Sequence, residues 1–177
     1  MKVLIREEEI HDGIARLAKQ LHEHYGNSPL TIVAIMTGSL VMLADLIRRL
    51  EMPVRISLIA VSSYRGKMTQ GELEIDDSRM LDISDRDVLL IDDIFDTGNT
   101  LVEVTARLQK LSPKSIRTAV FLRKEGTSKV TQRPDYSVFD IPNAFVVGYG
   151  LDYEDLYRNL PYVGVLEESD LKLLLTH

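Results

Sequence analysis

VLLIDDIFDTGNTL, Val88 to Leu101, runs a short apolar segment into three carboxylates, Asp92, Asp93 and Asp96, and then into Thr97-Gly98-Asn99-Thr100. Val88 to Ile91 reads as a strand buried on both faces. After Thr100, the residues Leu101, Val104, Leu108 and Leu111 mark one helix face, stopped by Ser112-Pro113. The stretch therefore predicts strand, glycine-containing turn, helix. Such a turn presents backbone N–H groups without intrahelical partners at the positive end of the helix dipole, which suits a phosphate monoester. Gly98 permits close approach or a positive φ, and the hydroxyls of Thr97 and Thr100 add donors. Bare carboxylates repel phosphate. Their presence here makes sense if the bound anion carries hydroxyl groups or arrives with a divalent cation. Asp92 and Asp93, adjacent on a strand, point to opposite sides, which suits a diol such as ribose, or a cation reached through water, better than symmetric chelation. Asp96, one turn later, leans back over the same place and can accept or donate a proton.

Three plainer readings compete. A helix N-terminus that attracts acids, with Asp96 or Thr97 as N-cap, accounts for an isolated Asp-Thr-Gly but leaves Asp92 and Asp93 unexplained. A Walker B strand also ends in acids, but it needs a partner G-x-x-x-x-G-K-[ST], and the sequence has none. A phosphoacceptor aspartate of a receiver domain has no use for the Thr-Gly-Asn-Thr turn.

The rest of the chain alternates in the same way. Ile10, Ile14, Leu17 and Leu21 recur at helical spacing, so Glu7 to Tyr25 predicts an amphipathic helix closed by Gly26-Asn27. Leu30 to Ile35 predicts a buried strand ending in Met36-Thr37-Gly38-Ser39, followed by a helix from Leu40 to Leu50. Arg55 to Val61 is a further strand. Ser62 to Glu72 lacks apolar periodicity and reads as an exposed, mobile loop, with a short returning strand over Glu72 to Ile75. Ile116 to Leu122, Tyr136 to Phe139, Ala144 to Gly150 and Tyr162 to Leu166 complete the apolar segments. A terminal helix with Ser169 as N-cap is expected at SDLKLLL. This alternation implies an α/β fold, a mostly parallel twisted sheet flanked by helices. Ligands of such sheets sit outside the carboxyl ends of the strands. Three of those ends carry chemistry: MTGS, SSYRG and DDIFDTGNT.

With 177 residues, 45% of them hydrophobic, the chain suits one domain spanning 1–177 with a real core. A net charge of -6 argues against a general nucleic-acid binder but leaves small anionic ligands open. The absence of cysteine removes disulfides and thiolate metal sites and agrees with a reducing compartment. The opening MKVLIREEEIHDG is too charged for a signal peptide, and no apolar run reaches the roughly 18 residues of a membrane span. A soluble cytoplasmic protein is expected. The four histidines form no metal signature and receive no role.

On these residues, DDIFDTGNT above all, the chain resembles the type I phosphoribosyltransferases, and from Val3 to about Leu166 the bacterial hypoxanthine-guanine type. The resemblance implies that family's fold, with a small hood formed by terminal segments. It implies magnesium-dependent purine salvage: the phosphoribosyl group of phosphoribosyl pyrophosphate passes to hypoxanthine, and to guanine, giving IMP or GMP and pyrophosphate. By the same resemblance, Asp92 and Asp93 hold the ribose hydroxyls and Asp96 handles the purine N7 proton. Asp96, Thr97, Gly98, Asn99 and Thr100 line the 5′-phosphate pocket. MTGS matches the pyrophosphate loop, where the N–H of Gly38 meets the leaving group; Thr37 stands where many members carry Lys or Arg. Ser63 and Tyr64 match a loop that closes over the reacting centre and excludes water. Lys124 donates to the purine 6-oxo group, while Phe145 and Val146 stack on the base and offer it backbone groups. Asp152 reaches magnesium, and Arg158 binds pyrophosphate through its planar fork. Asp92, Asp93 and Asp152 are thus the expected metal residues, and a homodimer or homotetramer is the expected assembly.

Read without that resemblance, MTGS is an ordinary turn and cap, Lys124 a solvated charge, Phe145 and Val146 core, and Asp152 with Arg158 a surface pair. Two other functions use the same fold. A regulator that binds RNA of pyrimidine operons is opposed by the acidic balance and by Asp96, and a pyrimidine-specific transferase by Phe145 with Lys124.

Overall fold

The computed structural model describes residues 1–63, 73–78, 80–167 and 170. Its elements are β1 (Lys2–Ile5), α1 (Glu7–Tyr25), β2 (Leu30–Met36), α2 (Leu40–Ile47), β3 (Val54–Ser63), β4 (Leu73–Asp76), β5 (Asp87–Phe95), α3 (Asn99–Gln109), β6 (Ser115–Lys124), β7 (Tyr136–Ile141), β8 (Val146–Val147) and β9 (Val163–Val165). Among the described residues, six strands form one sheet in the order β4-β3-β2-β5-β6-β7. All neighbours are parallel except the β3–β4 pair. The expected α/β fold, a mostly parallel sheet flanked by helices, is what forms.

The central strands explain their own burial. On β2 and β5, side chains alternate between two cores, as the period of two requires. Ile32, Ala34, Leu89 and Ile91 face α1 and α2, whereas Val33, Ile35, Val88 and Leu90 face α3. Both faces are covered, so no polar alternation remains to be seen in the sequence. Helix α1 spans the predicted residues and buries Ile10, Ile14, Leu17 and Leu21. Its first turn carries Glu7, Glu8 and Glu9 at the positive end of the dipole, and the Glu9 carboxylate accepts the Arg6 N–H at 2.9 Å.

Several boundaries move for physical reasons. β5 runs to Phe95, past the expected end at Ile91, because β6 continues beside it as far as the Phe95–Arg123 pair. Asp92 and Asp93 therefore belong to the strand and are fixed by its ladder. Helix α2 stops at Ile47 rather than Leu50. β1 carries no expectation from the sequence, since four residues beside an acidic helix give little pattern. Its stability comes from antiparallel pairing with β9, more than 150 residues away. β1, β9 and β8 form the second, three-stranded sheet, the hood of terminal segments. Ser62 and Ser63 extend β3. The remainder of the expected loop, Tyr64 to Glu72, and the Ser169 cap lie outside the described residues.

Leu46 of α2 is fully buried between the helix layer and the sheet. Leu46→Ala is expected to lower unfolding free energy by about 2–5 kcal/mol through lost transfer and a residual cavity. Urea denaturation should show a lower midpoint with unchanged slope.

Candidate active site

Parallel strands bring their carboxyl ends to one edge, so MTGS after β2, the acids of β5 and Lys124 at the end of β6 meet there. They do so at unusually short range. A Cβ on Gly38 would fall 1.6 Å from Oδ2 of Asp93, so only glycine lets the Asp93 carboxylate lie on this loop. On the other side, a Cβ on Gly150 would fall 2.1 Å from the Gly38 carbonyl oxygen. Asp93, Gly38 and Gly150 are thus stacked in contact, linking β5, the loop after β2 and the hood. The Met36–Thr37 peptide at the start of this loop is cis. Ser39 is committed to the fold: its buried Oγ donates to the Ile35 carbonyl at 2.5 Å. Thr37 is exposed, which leaves backbone groups as this loop's buried donors.

Asp92 is almost wholly buried, and its Oδ1 accepts the Asp93 N–H at 3.0 Å. Burial, with the neighbouring Asp93 charge, pushes the Asp92 carboxyl well above its ordinary range. Burial also raises Asp93, against the hydrogen bond from Asp92 and the charge of Arg158. Two adjacent carboxylates are costly to keep in such a place. A ligand that donates hydroxyl hydrogens or positive charge relieves that cost.

After β5, the chain turns through Gly98, which sits at φ +88° directly before α3. A side chain there would also strike Val130 and the Phe95 ring, at 2.4 and 2.8 Å. The turn is braced from behind. Thr127 Oγ1 donates to the Asp96 carbonyl at 3.0 Å, and the Lys129 N–H donates to the Thr97 carbonyl at 2.9 Å. The first N–H groups of α3, at Asn99, Thr100 and Leu101, lack intrahelical acceptors by helix geometry and face the strand end.

Lys124 Nζ lies 3.0 Å from Asp96 Oδ2. The lysine is largely buried and the aspartate half-exposed. Partial burial pushes the Asp96 carboxyl up, but hydrogen bonds from Lys124 and Thr127, with the charges of Lys124 and Lys129, outweigh it and hold the carboxyl below its usual range. Asp96 is therefore an ionised acceptor at neutral pH. The solvated-charge reading of Lys124 does not describe this pair.

Phe145 presents a half-exposed ring, 54% accessible, held edge-on by Tyr153 at 5.7 Å between centroids. The core reading of Phe145 is corrected: β8 begins at the next residue, so the ring stands at its open edge. The Val146 side chain, by contrast, is core. Arg158 and Asp152 form an ion pair at 2.9 Å. Arg158 also donates to the Gly150 carbonyl at 2.8 Å, and Asp152 accepts the Asp155 N–H at 2.9 Å. Asp152 and Arg158 therefore order a tight turn against Gly150 as well as pairing with each other. Of the remaining expected residues, Ser63 ends β3 and Tyr64 lies outside the described residues. Gly150 and Tyr149 carry no role in the sequence reading, although two glycines flanking a tyrosine signal an unusual backbone.

Asp92, Asp93 and Asp152 do not gather into one cage, and among the described residues no three His, Asp or Glu side chains surround a common point. The donor set is nevertheless hard carboxylate oxygen. It fits a cation that takes one or two protein carboxylates and fills its shell from substrate and water.

Gly38→Ala forces the Asp93 carboxylate or the loop to move. Calorimetric affinity for phosphoribosyl pyrophosphate, the ligand that the sequence resemblance implies for this loop, is expected to fall at least about tenfold, the effect of one lost charge-assisted contact, with circular dichroism unchanged.

Comparison with known proteins matches this arrangement. The phosphoribosyl transferase domain family matches residues 6–154. The hypoxanthine-guanine phosphoribosyltransferase of Aquifex aeolicus is 38% identical over 170 residues, covering 95% of this chain and 96% of that protein. The enzyme of the same name from Staphylococcus aureus is 40% identical over 167 residues, covering 94% and 93%. A solved hypoxanthine phosphoribosyltransferase of Trypanosoma cruzi, in complex with its product IMP, superposes with a TM-score of 0.88 at 37% identity, and the match covers 96% of this chain and 95% of that one. The strand-turn-helix with its three aspartates, the stacked glycine loops and these matches have one conclusion: the chain belongs to the phosphoribosyl transferase family.

Proposed function

We propose that this chain, as one domain over residues 1–177, is a purine salvage enzyme that transfers the phosphoribosyl group of phosphoribosyl pyrophosphate to hypoxanthine, and to guanine, forming IMP or GMP. The observation that carries the choice of base is the Lys124–Asp96 pair. It sets a cationic donor 3.0 Å from an ionised acceptor. A 6-oxopurine offers the complement, a 6-oxo acceptor beside an N7–H donor. Adenine, with an amino group at that place, meets the lysine donor to donor. The names of the matched relatives support the same reading.

In this mechanism the 5′-phosphate sits on the N–H groups and hydroxyls of Thr97 to Thr100, with Gly98 allowing the approach. Asp92 and Asp93 accept hydrogen bonds from the ribose hydroxyls. The Gly38 N–H and Arg158 hold the pyrophosphate, and Phe145 stacks on the base beside the backbone of Val146. The N9–C1 bond forms as the C1–pyrophosphate oxygen bond breaks, and Asp96 accepts the N7 proton. Much of the rate comes from aligning the two substrates. Magnesium, reached by Asp152 and by Asp92 or Asp93, would neutralise charge on the departing pyrophosphate.

The RNA-binding regulator gains no support from the matched relatives, and a net charge of -6 opposes it. No helix among the described residues is long and apolar enough to cross a membrane, and a cytoplasmic setting, consistent with a cysteine-free sequence, belongs to the same proposal.

A homo-oligomer, dimer or tetramer, is also proposed. Helix α2 lies over β2 but leaves the same face of β3 bare, so Ile56 and Leu58 are 39% and 44% exposed. With Met36, Ala60 and Leu81 they line a cleft of about 510 Å³, an apolar surface of the kind that oligomers cover. Sizing chromatography should show an oligomer that Leu58→Asp dissociates; a monomeric wild type refutes the proposal.

Steady-state kinetics should rank hypoxanthine and guanine far above adenine, and adenine as the best substrate would refute the Lys124 role. Asp96→Asn is expected to lower kcat by about 100-fold or more, with little change in affinity for the sugar pyrophosphate.

A further inference from the structure

Tyr149 occupies a conformation that side chains rarely adopt. It sits at φ +50° between Gly148 and Gly150, both at φ +97°. Something must hold a bulky residue there: its backbone N–H donates to the Leu160 carbonyl at 2.8 Å, and two side-chain contacts anchor the ring and hydroxyl. Its ring packs on Phe121, with centroids 4.6 Å apart, and its hydroxyl donates to Oδ2 of Asp45 at 2.7 Å. Asp45 stands on α2, the helix that begins directly after the MTGS loop, and its other oxygen is held by Arg48. One hydrogen bond therefore ties the turn before the hood's Asp152–Arg158 segment to the helix that carries the opposite loop.

The residue after Tyr149 shows what that tie controls. Gly150 rests on the Gly38 carbonyl, its N–H donates to the Arg158 carbonyl at 2.9 Å, and its own carbonyl accepts from Arg158 Nη1. A shift of Tyr149 thus moves Gly38 and Arg158 together. Lys124 and Phe145, the proposed partners of the base, touch neither member of the tie in any hydrogen bond or ring contact of the described residues. We infer that Tyr149, through Asp45, is a positioning residue for the pyrophosphate end of the site, setting Gly38 and Arg158 in register for the leaving group. The inference rests on the proposed placement of pyrophosphate between those two residues.

The variants that test it should fold. Asp45 is partly exposed and lines a cleft of about 290 Å³ with His11, Val41 and Arg158. Water there can replace the lost hydroxyl, and Tyr149→Phe keeps the ring on Phe121. Kinetics are measured in both directions, synthesis of IMP and its pyrophosphorolysis. Tyr149→Phe and Asp45→Ala are each expected to raise KM for phosphoribosyl pyrophosphate and for pyrophosphate about tenfold, the size of one hydrogen bond to a charged group. KM for hypoxanthine and IMP should stay within about twofold, and the double variant should add almost nothing to either single one. Asp45→Asn keeps an acceptor for the tyrosine and should stay near wild type, because losing an exposed Arg48 pair costs little. Equal rises in KM for base and pyrophosphate, an Asp45→Asn as impaired as Asp45→Ala, or an unchanged pyrophosphate KM in Tyr149→Phe would each overturn the inference. Turnover of hypoxanthine by the wild type tests the underlying activity separately.

Discussion

The close stacking of Asp93, Gly38 and Gly150 is the constraint on which the site depends. Each member comes from a different part of the chain: the central strand, the loop after its neighbour, and the terminal hood. The distances leave no room for a side chain at either glycine, so the backbone itself is the packing surface. A loop seated in this way cannot drift relative to the aspartates, and its N–H groups keep a fixed direction. Preorganisation of this kind is what lets backbone donors act on a developing charge without first reorganising.

Electrostatics then divides the site in two. At one end, Asp92 and Asp93 are raised by burial, which outweighs the charge of Arg158 on Asp93 and is reinforced at Asp92 by its neighbour. At the other, Asp96 is kept ionised by Lys124. Three aspartates within one strand and turn thus have different protonation behaviour, set by what surrounds each. That difference separates residues suited to hydroxyl groups and cations from one suited to taking a proton.

The sequence made the sheet legible because its central strands are continuous apolar runs bounded by glycine turns, and α1 because its apolar stripe has the helical period. The strand, glycine turn and helix around Asp92 to Thr100 were legible for the same local reason: they are contiguous. What escaped was long-range. β1 has too few residues to show a pattern and exists through β9. The extension of β5 over Asp92 and Asp93 depends on β6 continuing beside it. The pairing of Lys124 with Asp96, and of Gly150 with Gly38, joins segments that no spacing in the sequence relates. Phe145 reads as core in a run of apolar residues, and only the boundary of β8 leaves its ring open.

The β1–β9 pairing also sets an order of assembly. A chain leaving the ribosome presents Lys2 to Ile5 long before their partner strand, which ends at Val165. Until that late segment emerges, β1 has no ladder to join, while the parallel sheet and the Gly98 turn already have theirs. The Gly98 turn can therefore be in place on the nascent protein before the edge of β8 that carries Phe145 is built, so that the two proposed binding regions mature at different moments of synthesis.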